Sequence, residues 1–474
     1  MSNLDSIVAT LDEGVIPGLN FSLSNHQAAG YVRERNFSTY YPSGSNIYSP
    51  STGQRVIRIL VSDGGKSMLD LSTIRLSFDI VNTETTGDKK LFLPGHLGCL
   101  FQRLTLRIAG TQVEDILFYN RLCGMLNQFR SVNSQYSAHI GGVGSSVNQV
   151  ALQMDRVIQE PIEENTTRRV VIDLPCGLFH SHYLLPVGRF PLELTLELAS
   201  ADAVAMAGPV TYAGAEVAAA NVTQNYSIQN VRLLCDMVSL DSAMNDNIDE
   251  ALLQGKPLSL AFSSWSNQYF TLTGLPDNNA QFHVLLNRSF SRLQSVFANF
   301  LPKWFTAPVG EWNQSTLFSC WHGPDVAATA AQYKEALTPV YNFTRDTFRF
   351  QLQAGPRLWP STPMSSLGEA YMQLQKAVGQ LISETGLSIG PAYRLRSFHM
   401  GIDLEKAAST ASSAGVTMSG LNTRASNDQI RLEWSNVTSS RADANRDWTP
   451  ASVFVLCNYA CVAELRAEGV IFAD

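Results

Sequence analysis

RLWPSTPMSSLGEAYMQLQKAVGQLISETG runs from Arg357 to Gly386. It encodes one well-signalled helix in a chain whose other segments read as strands, and placing that helix decides the fold. Pro360 and Pro363 bias the approach toward extended backbone. Ser366 and Glu369 stand at capping-box spacing, where each side chain can satisfy a free amide. Leu367, Ala370, Tyr371, Leu374, Val378, Leu381 and Ile382 recur at three- and four-residue steps and form one apolar stripe. Gly386 suits a C-terminal cap. The spacing predicts an amphipathic helix over about 366–385 that must lie on something apolar.

Outward from this helix the pattern is of strands. IRLSFDIV (74–81), LELTLEL (192–198), FRFQLQ (348–353) and IRLEW (430–434) alternate apolar with polar residues, as half-buried strands do. VIRILV (56–61) and SVFVLC (452–457) are more continuous and are expected to be buried on both faces. Asp63-Gly64-Gly65, Thr86-Gly87-Asp88 and Pro94-Gly95 read as turns between them. Strands without regular intervening helices indicate an all-β chain of sandwiches or barrels. Residues 1–50 mix small polar residues with Gly, Tyr and Pro and show no period, so they are expected to form an N-terminal arm.

A second helix candidate, LFYNRLCGMLNQF, lies at 117–129. Its Tyr119-x-x-Leu122…Gln128-Phe129 matches Tyr371-x-x-Leu374…Gln380-Leu381. Before each helix stands a related string, FQRLTLRIAG (101–110) and FSRLQSVFAN (290–299). The repeated order predicts two copies of one β-domain, each carrying an accessory helix. The second copy then has an insertion at about 299–346. The join is expected within VSLDSAMNDNIDEALLQGKPLSL (238–260), dividing the chain into domains at 51–245 and 246–474. ASADAVAMAGPVTYAGAEVAAAN (199–221) reads as a long surface loop.

The totals agree with this reading. Of 474 residues 45% are hydrophobic, so large cores can be buried. Only 16% are charged, against about 25% in ordinary soluble domains, which suits either a β-rich chain or a surface largely covered by neighbouring subunits. A net charge of −7 argues against a protein that coats nucleic acid. The N-terminus lacks the basic start and apolar run of a signal peptide, and no run is long enough to span a bilayer. The seven cysteines are scattered and predict reduced thiols.

Candidate chemical groups all have ordinary structural readings. His180 and His182, with Cys176 nearby, could begin a metal site, but loop histidines are the simpler reading. Cys457 and Cys461 lack zinc-finger spacing and read as buried thiols. Asp403 with Glu405 reads as a solvated strand face, and Asp249 with Glu250 as part of the join. Gly141-Gly142-Val143-Gly144 has no following lysine and reads as a loop rather than a phosphate cradle. Arg168-Arg169 is too small a cluster for DNA binding. No catalytic, cofactor-binding or metal residue is assigned. A jelly-roll hydrolase would need a carboxylate pair in a cleft. An attachment protein that binds carbohydrate would expose aromatics, for which Trp304, Trp312 and Trp321 mark the place to look.

Four stretches together resemble the double jelly-roll major capsid proteins of the adenovirus-hexon lineage, most closely those of polinton-like viruses and virophages. They are RLWPSTPMSSLGEAYMQLQKAVG (357–379), FHMGIDLEKA (398–407) followed by SGLNT (419–423), VIDLPCGLFHSHYLLPVGRFPLELTLEL (171–198), and IQNVRLLCDMVSLD (228–241). The resemblance covers roughly residues 50–474. Gly355-Pro356-Arg357 departs from the more usual basic string of that family. The resemblance implies two tandem eight-stranded jelly rolls and a structural role without an active site. It also implies pseudo-hexameric homotrimeric capsomers in an icosahedral shell of a double-stranded DNA virus. Partners would be further copies of the chain, penton proteins and minor or cement proteins, with no sequence-specific nucleic-acid binding. The chain would be made in the host cytoplasm, assembled there or in the nucleus, and reside in the virion capsid.

Overall fold

A computed structural model describes residues 32–129, 161–302, 349–379, 399–405, 419–437 and 450–473, apart from 52, 66, 94–95, 206–209, 213–214, 277–279 and 426–427. In the first half the principal strands are β1 (Val32–Tyr40), β2 (Val56–Val61), β3 (Ser67–Asn82), β4 (Phe101–Ile108), β5 (Thr111–Leu117), β6 (Thr167–Ile172), β7 (Leu192–Leu198) and β8 (Tyr226–Leu240). The second half has β9 (Leu258–Thr271), β10 (Ala280–Leu285), β11 (Leu293–Pro302), β12 (Arg349–Ala354), β13 (Arg357–Met364), β14 (Met400–Asp403), β15 (Ile430–Val437) and β16 (Pro450–Arg466). Helix α1 (Tyr119–Phe129) follows β5, α2 (Ser242–Leu253) joins the halves, and α3 (Leu367–Gly379) follows β13.

The sheets repeat one order. The first half forms β1–β8–β3–β6 and β2–β7–β4–β5, and the second forms β9–β16–β11–β14 and β10–β15–β12–β13. In both, the eighth strand lies between the first and third, and the seventh between the second and fourth. These neighbouring strands pair antiparallel throughout. Two facing four-stranded layers linked in this order are a jelly roll. The start of strand seven faces the ends of strands two and four, as Leu192 does Val61 and Ile108. Connections two-to-three, four-to-five and six-to-seven therefore gather at one end of a roll. The one-to-two, three-to-four, five-to-six and seven-to-eight connections gather at the other.

The alternating sequences become one-faced strands. Leu192, Leu194, Leu196 and Leu198 of β7 are all fully buried, while Glu193, Thr195 and Glu197 between them are not. Between the layers of the first roll, Phe78 meets Phe101 edge-on at 6.1 Å. In the second, Trp434 is stacked between Phe282 and Phe350 and meets Phe300 of the facing sheet edge-on. Such aromatic contacts add to the stabilisation from area burial.

Four expectations change. The arm is not separate throughout, because β1 pairs with β8 from Val32 to Tyr40 and is the first strand of the first roll. It is an edge strand with polar residues on both faces, so it carries no apolar period. VIRILV is buried on one face only, with Val56, Arg58 and Leu60 outward. FQRLTLRIAG and FSRLQSVFAN are not counterparts, since they lead into a fourth and a third strand respectively. Phe-x-Arg-Leu marks the start of an alternating strand, which every strand of a sandwich can share. The 199–221 stretch contains a small hairpin, Val210–Tyr212 with Ala215–Val217. Gly141–Gly144, Gly386 and the 299–346 insertion beyond Pro302 lie outside the described residues.

Both accessory helices are present. On α3, Ser366 Oγ accepts from the Glu369 amide at 3.2 Å, and Glu369 accepts from the Ser365 amide at 2.7 Å, one residue earlier than the capping box requires. Leu374, Ala377 and Val378 are fully buried. Helix α3 lies on β14, where Gly401 leaves room for Leu374, since an added Cβ would stand 2.9 Å from its Cδ1.

Candidate interaction surfaces

The residues singled out for possible chemistry do not converge. His180 and His182 are exposed, and His180 Nδ1 is 2.7 Å from the carbonyl oxygen of Cys176 rather than its thiol. The Cys176 thiol is buried and held protonated by that burial. Cys457 and Cys461 are buried in β16. Burial pushes the Cys457 thiol up to about 12, and Cys461 Sγ donates to the Phe262 carbonyl at 3.4 Å. Asp403 accepts from the Glu405 amide and Glu405 accepts from Gln294, so this pair closes the end of a strand. Asp249 is ion-paired with Arg189. Arg169 grips Asp79 through two hydrogen bonds and holds its carboxyl below the usual range, with Asn230 adding a third. Among the described residues no group of three or more His, Cys, Asp or Glu could hold a metal. A shallow concavity lined by Lys90, Pro161, Glu163, Thr166 and Arg168 contains a single carboxylate, which pairs with Lys90.

The most developed polar arrangement is the seam between the rolls, which sequence reasoning missed. Glu114 of β5 is fully buried. It accepts from the amides of Gly177 and Leu178 at 3.0 and 3.1 Å and from Ser264 Oγ of β9 at 2.9 Å. Burial pushes its carboxyl up, against the pull of those donors. A register irregularity between Gln112 and Glu114 interrupts the alternation of β5 and helps to bury both Val113 and Glu114. In the sequence, Glu114 reads only as one more polar residue of an alternating strand. Gly177 passes so close to the second roll that an added Cβ would lie 1.6 Å from the Ser263 carbonyl oxygen.

The seam continues through Asn267, which donates to the Leu117 carbonyl at 2.8 Å. Phe118 packs on Tyr269 and Phe454, and the Arg121 guanidinium lies 4.7 Å over the Phe454 ring. Phe129, at the end of α1, meets Phe297 and His399. His399 stands 3.1 Å from Asn299 Nδ2, and burial lowers its pKa to about 3. The segment Ser452–Cys461 of β16 is buried on both faces, and Phe454 within it packs on Phe118 and Arg121 of the first roll. This arrangement can hold two rolls rigidly together.

Comparison with solved structures fits this architecture. The chain matches the PBCV-1 virus capsid over 96% of itself and 100% of that chain, with 14% identity and a TM-score of 0.56. It matches a chain of the Sputnik virophage structure over 97% of itself and 92% of that chain, with 10% identity and a TM-score of 0.57. The Faustovirus major capsid protein matches over 96% and 94%, with 10% identity and a TM-score of 0.54. No family model and no curated protein matches the sequence. The chain has the double jelly-roll fold.

Proposed function

We propose that the chain is a structural major capsid protein. Three copies form a pseudo-hexameric homotrimeric capsomer, and capsomers tile the icosahedral shell of a double-stranded DNA virus. The observation that carries this reading is one strand order used twice in a chain that matches capsid proteins over nearly its whole length. Two rolls in each of three chains give six lobes, which suit a hexagonal outline and a closed ring. The low charge content supports broad lateral contact.

In this reading the first roll extends to about residue 245 and the second occupies 246–474. The outward loop subdomain expected at 299–346 starts after Pro302, because Asn299–Pro302 complete β11. Neighbouring capsomers, penton proteins and minor capsid proteins are its partners. It is made in the host cytoplasm, assembles there or in the nucleus, and acts in the virion. No catalytic step or cofactor belongs to the role. Light scattering of the native protein should give three times the chain mass of 52.0 kDa. A stable monomer in native buffer would defeat the assembly reading.

A further inference from the structure

The two rolls of one chain meet through a pair of sheet edges. β5 is the fifth strand of the first roll and an outer edge of its sheet. It lies against β9, the first strand of the second roll and also an outer edge. The two strands belong to different sheets, and contact runs through side chains: Glu114 with Ser264, Asn267 with the Leu117 carbonyl, and Phe118 with Tyr269.

The duplicated fold supplies the same two edges a second time. β1 is the first strand of the first roll, and β13 is the fifth strand of the second. Among the described residues no strand pairs with the outer side of either. Both carry large apolar side chains in solvent. Phe37 of β1 and Tyr41 just after it are each 67% exposed, Leu358 of β13 is 44% exposed, and Met372 of the following α3 is 48% exposed. Pro360 and Pro363 deprive β13 of amide donors, which suits contact through side chains rather than strand addition. That is the mode already used between β5 and β9.

We propose that β13 and the start of α3 of one copy dock against β1 of a second copy, as β5 docks against β9 within the chain. The proposal deepens the trimeric reading above and rests on it. The contact is heterologous, because one kind of edge meets the other. Each copy therefore receives a neighbour on β1 and offers β13 to the next, and such a contact closes as a ring when the rotation allows. At three chains the ring has a first-strand to fifth-strand seam between every adjacent pair of rolls, alternately within and between chains.

The test uses the full chain, its Phe37→Asp variant and its Leu358→Asp variant, with masses read by light scattering. The wild type should have three chain masses and each variant one. An equimolar mixture of the variants should reach two chain masses, because F37D keeps its β13 edge and L358D keeps its β1 edge. If the wild type is monomeric, the trimeric reading falls and this proposal with it. If the wild type is trimeric and either variant remains so, or the mixture stays monomeric, the assignment of edges is overturned while the trimer stands. A Phe37→Cys/Leu358→Cys double variant, treated with a short bismaleimide, gives a readout without disrupting the contact. It should yield covalent species of two and three chains on a denaturing gel. A trimeric sample that yields only single chains would overturn the pairing. The native thiols among the described residues are buried.

Discussion

At Gly177 a single methyl group would separate the rolls. The Cβ of an alanine there would fall 1.6 Å from the Ser263 carbonyl oxygen, so the backbone must move, and Glu114 would lose its two amide donors. Gly177→Ala should cost at least about 1–3 kcal/mol, the usual range for overpacking. Thermal unfolding would register this as a lower Tm. His399 supplies a pH dependence. Its unfolded pKa is near 6.5, whereas burial lowers the folded value to about 3. Below pH 6.5 the unfolded chain binds a proton that the folded chain does not. Stability from this group is therefore complete above pH 6.5 and falls toward pH 3 by about 1.4 kcal/mol per unit. His399→Gln should flatten that slope in urea titrations between pH 4 and 7, and coincident slopes would show that folded His399 takes up the proton. Glu114 acts in the opposite sense. Its raised pKa favours the acid form in the folded state, so its contribution declines as pH rises above the unfolded carboxylate value.

At the scale of elements, α3 tests how well a sequence period reports packing. Leu374 is fully buried against β14, where Gly401 leaves space for it. Leu374→Asp would place an unpaired charge there and should destabilise the protein by about 3–5 kcal/mol. Soluble protein of unchanged Tm would contradict the packing. The helix and strands such as LELTLEL were legible in the sequence because burial of one face imposes a period. β1 was not, since an edge strand with polar residues on both sides imposes none. VIRILV misled because Val56 and Leu60 are apolar yet exposed. The Glu114 seam was hidden for another reason: its partner Ser264 is 150 residues away in the chain, and no local pattern reports such a contact.

For the whole molecule, the ends of the rolls organise the long connections. Residues 303–348 link the third and fourth strands of the second roll, and α1 and α3 both lie on five-to-six connections. All of these leave from the end of a roll opposite its four-to-five hairpin. If that end of the second roll faces outward in the capsomer, as proposed, an antibody raised against residues 306–336 should bind intact particles. Binding only to dissociated protein would place the segment between subunits. The three tryptophans in this insertion, Trp304, Trp312 and Trp321, make it the region to examine for attachment.

The insertion of each eighth strand between the first and third has a kinetic consequence. Val32 pairs with Leu240 and Leu258 with Leu465, partners about two hundred residues apart. During synthesis, the first and third strands of a roll must wait for the eighth. At about 5–20 residues per second that wait lasts roughly ten seconds or more. Throughout it, strands as apolar as β3 and β11 have no partner on that side. The nascent chain is thus an expected client of chaperones, and recombinant yield of soluble protein should rise when synthesis is slowed or chaperones are co-expressed. A soluble fraction indifferent to both would indicate that the early strands find shelter before their native neighbour arrives.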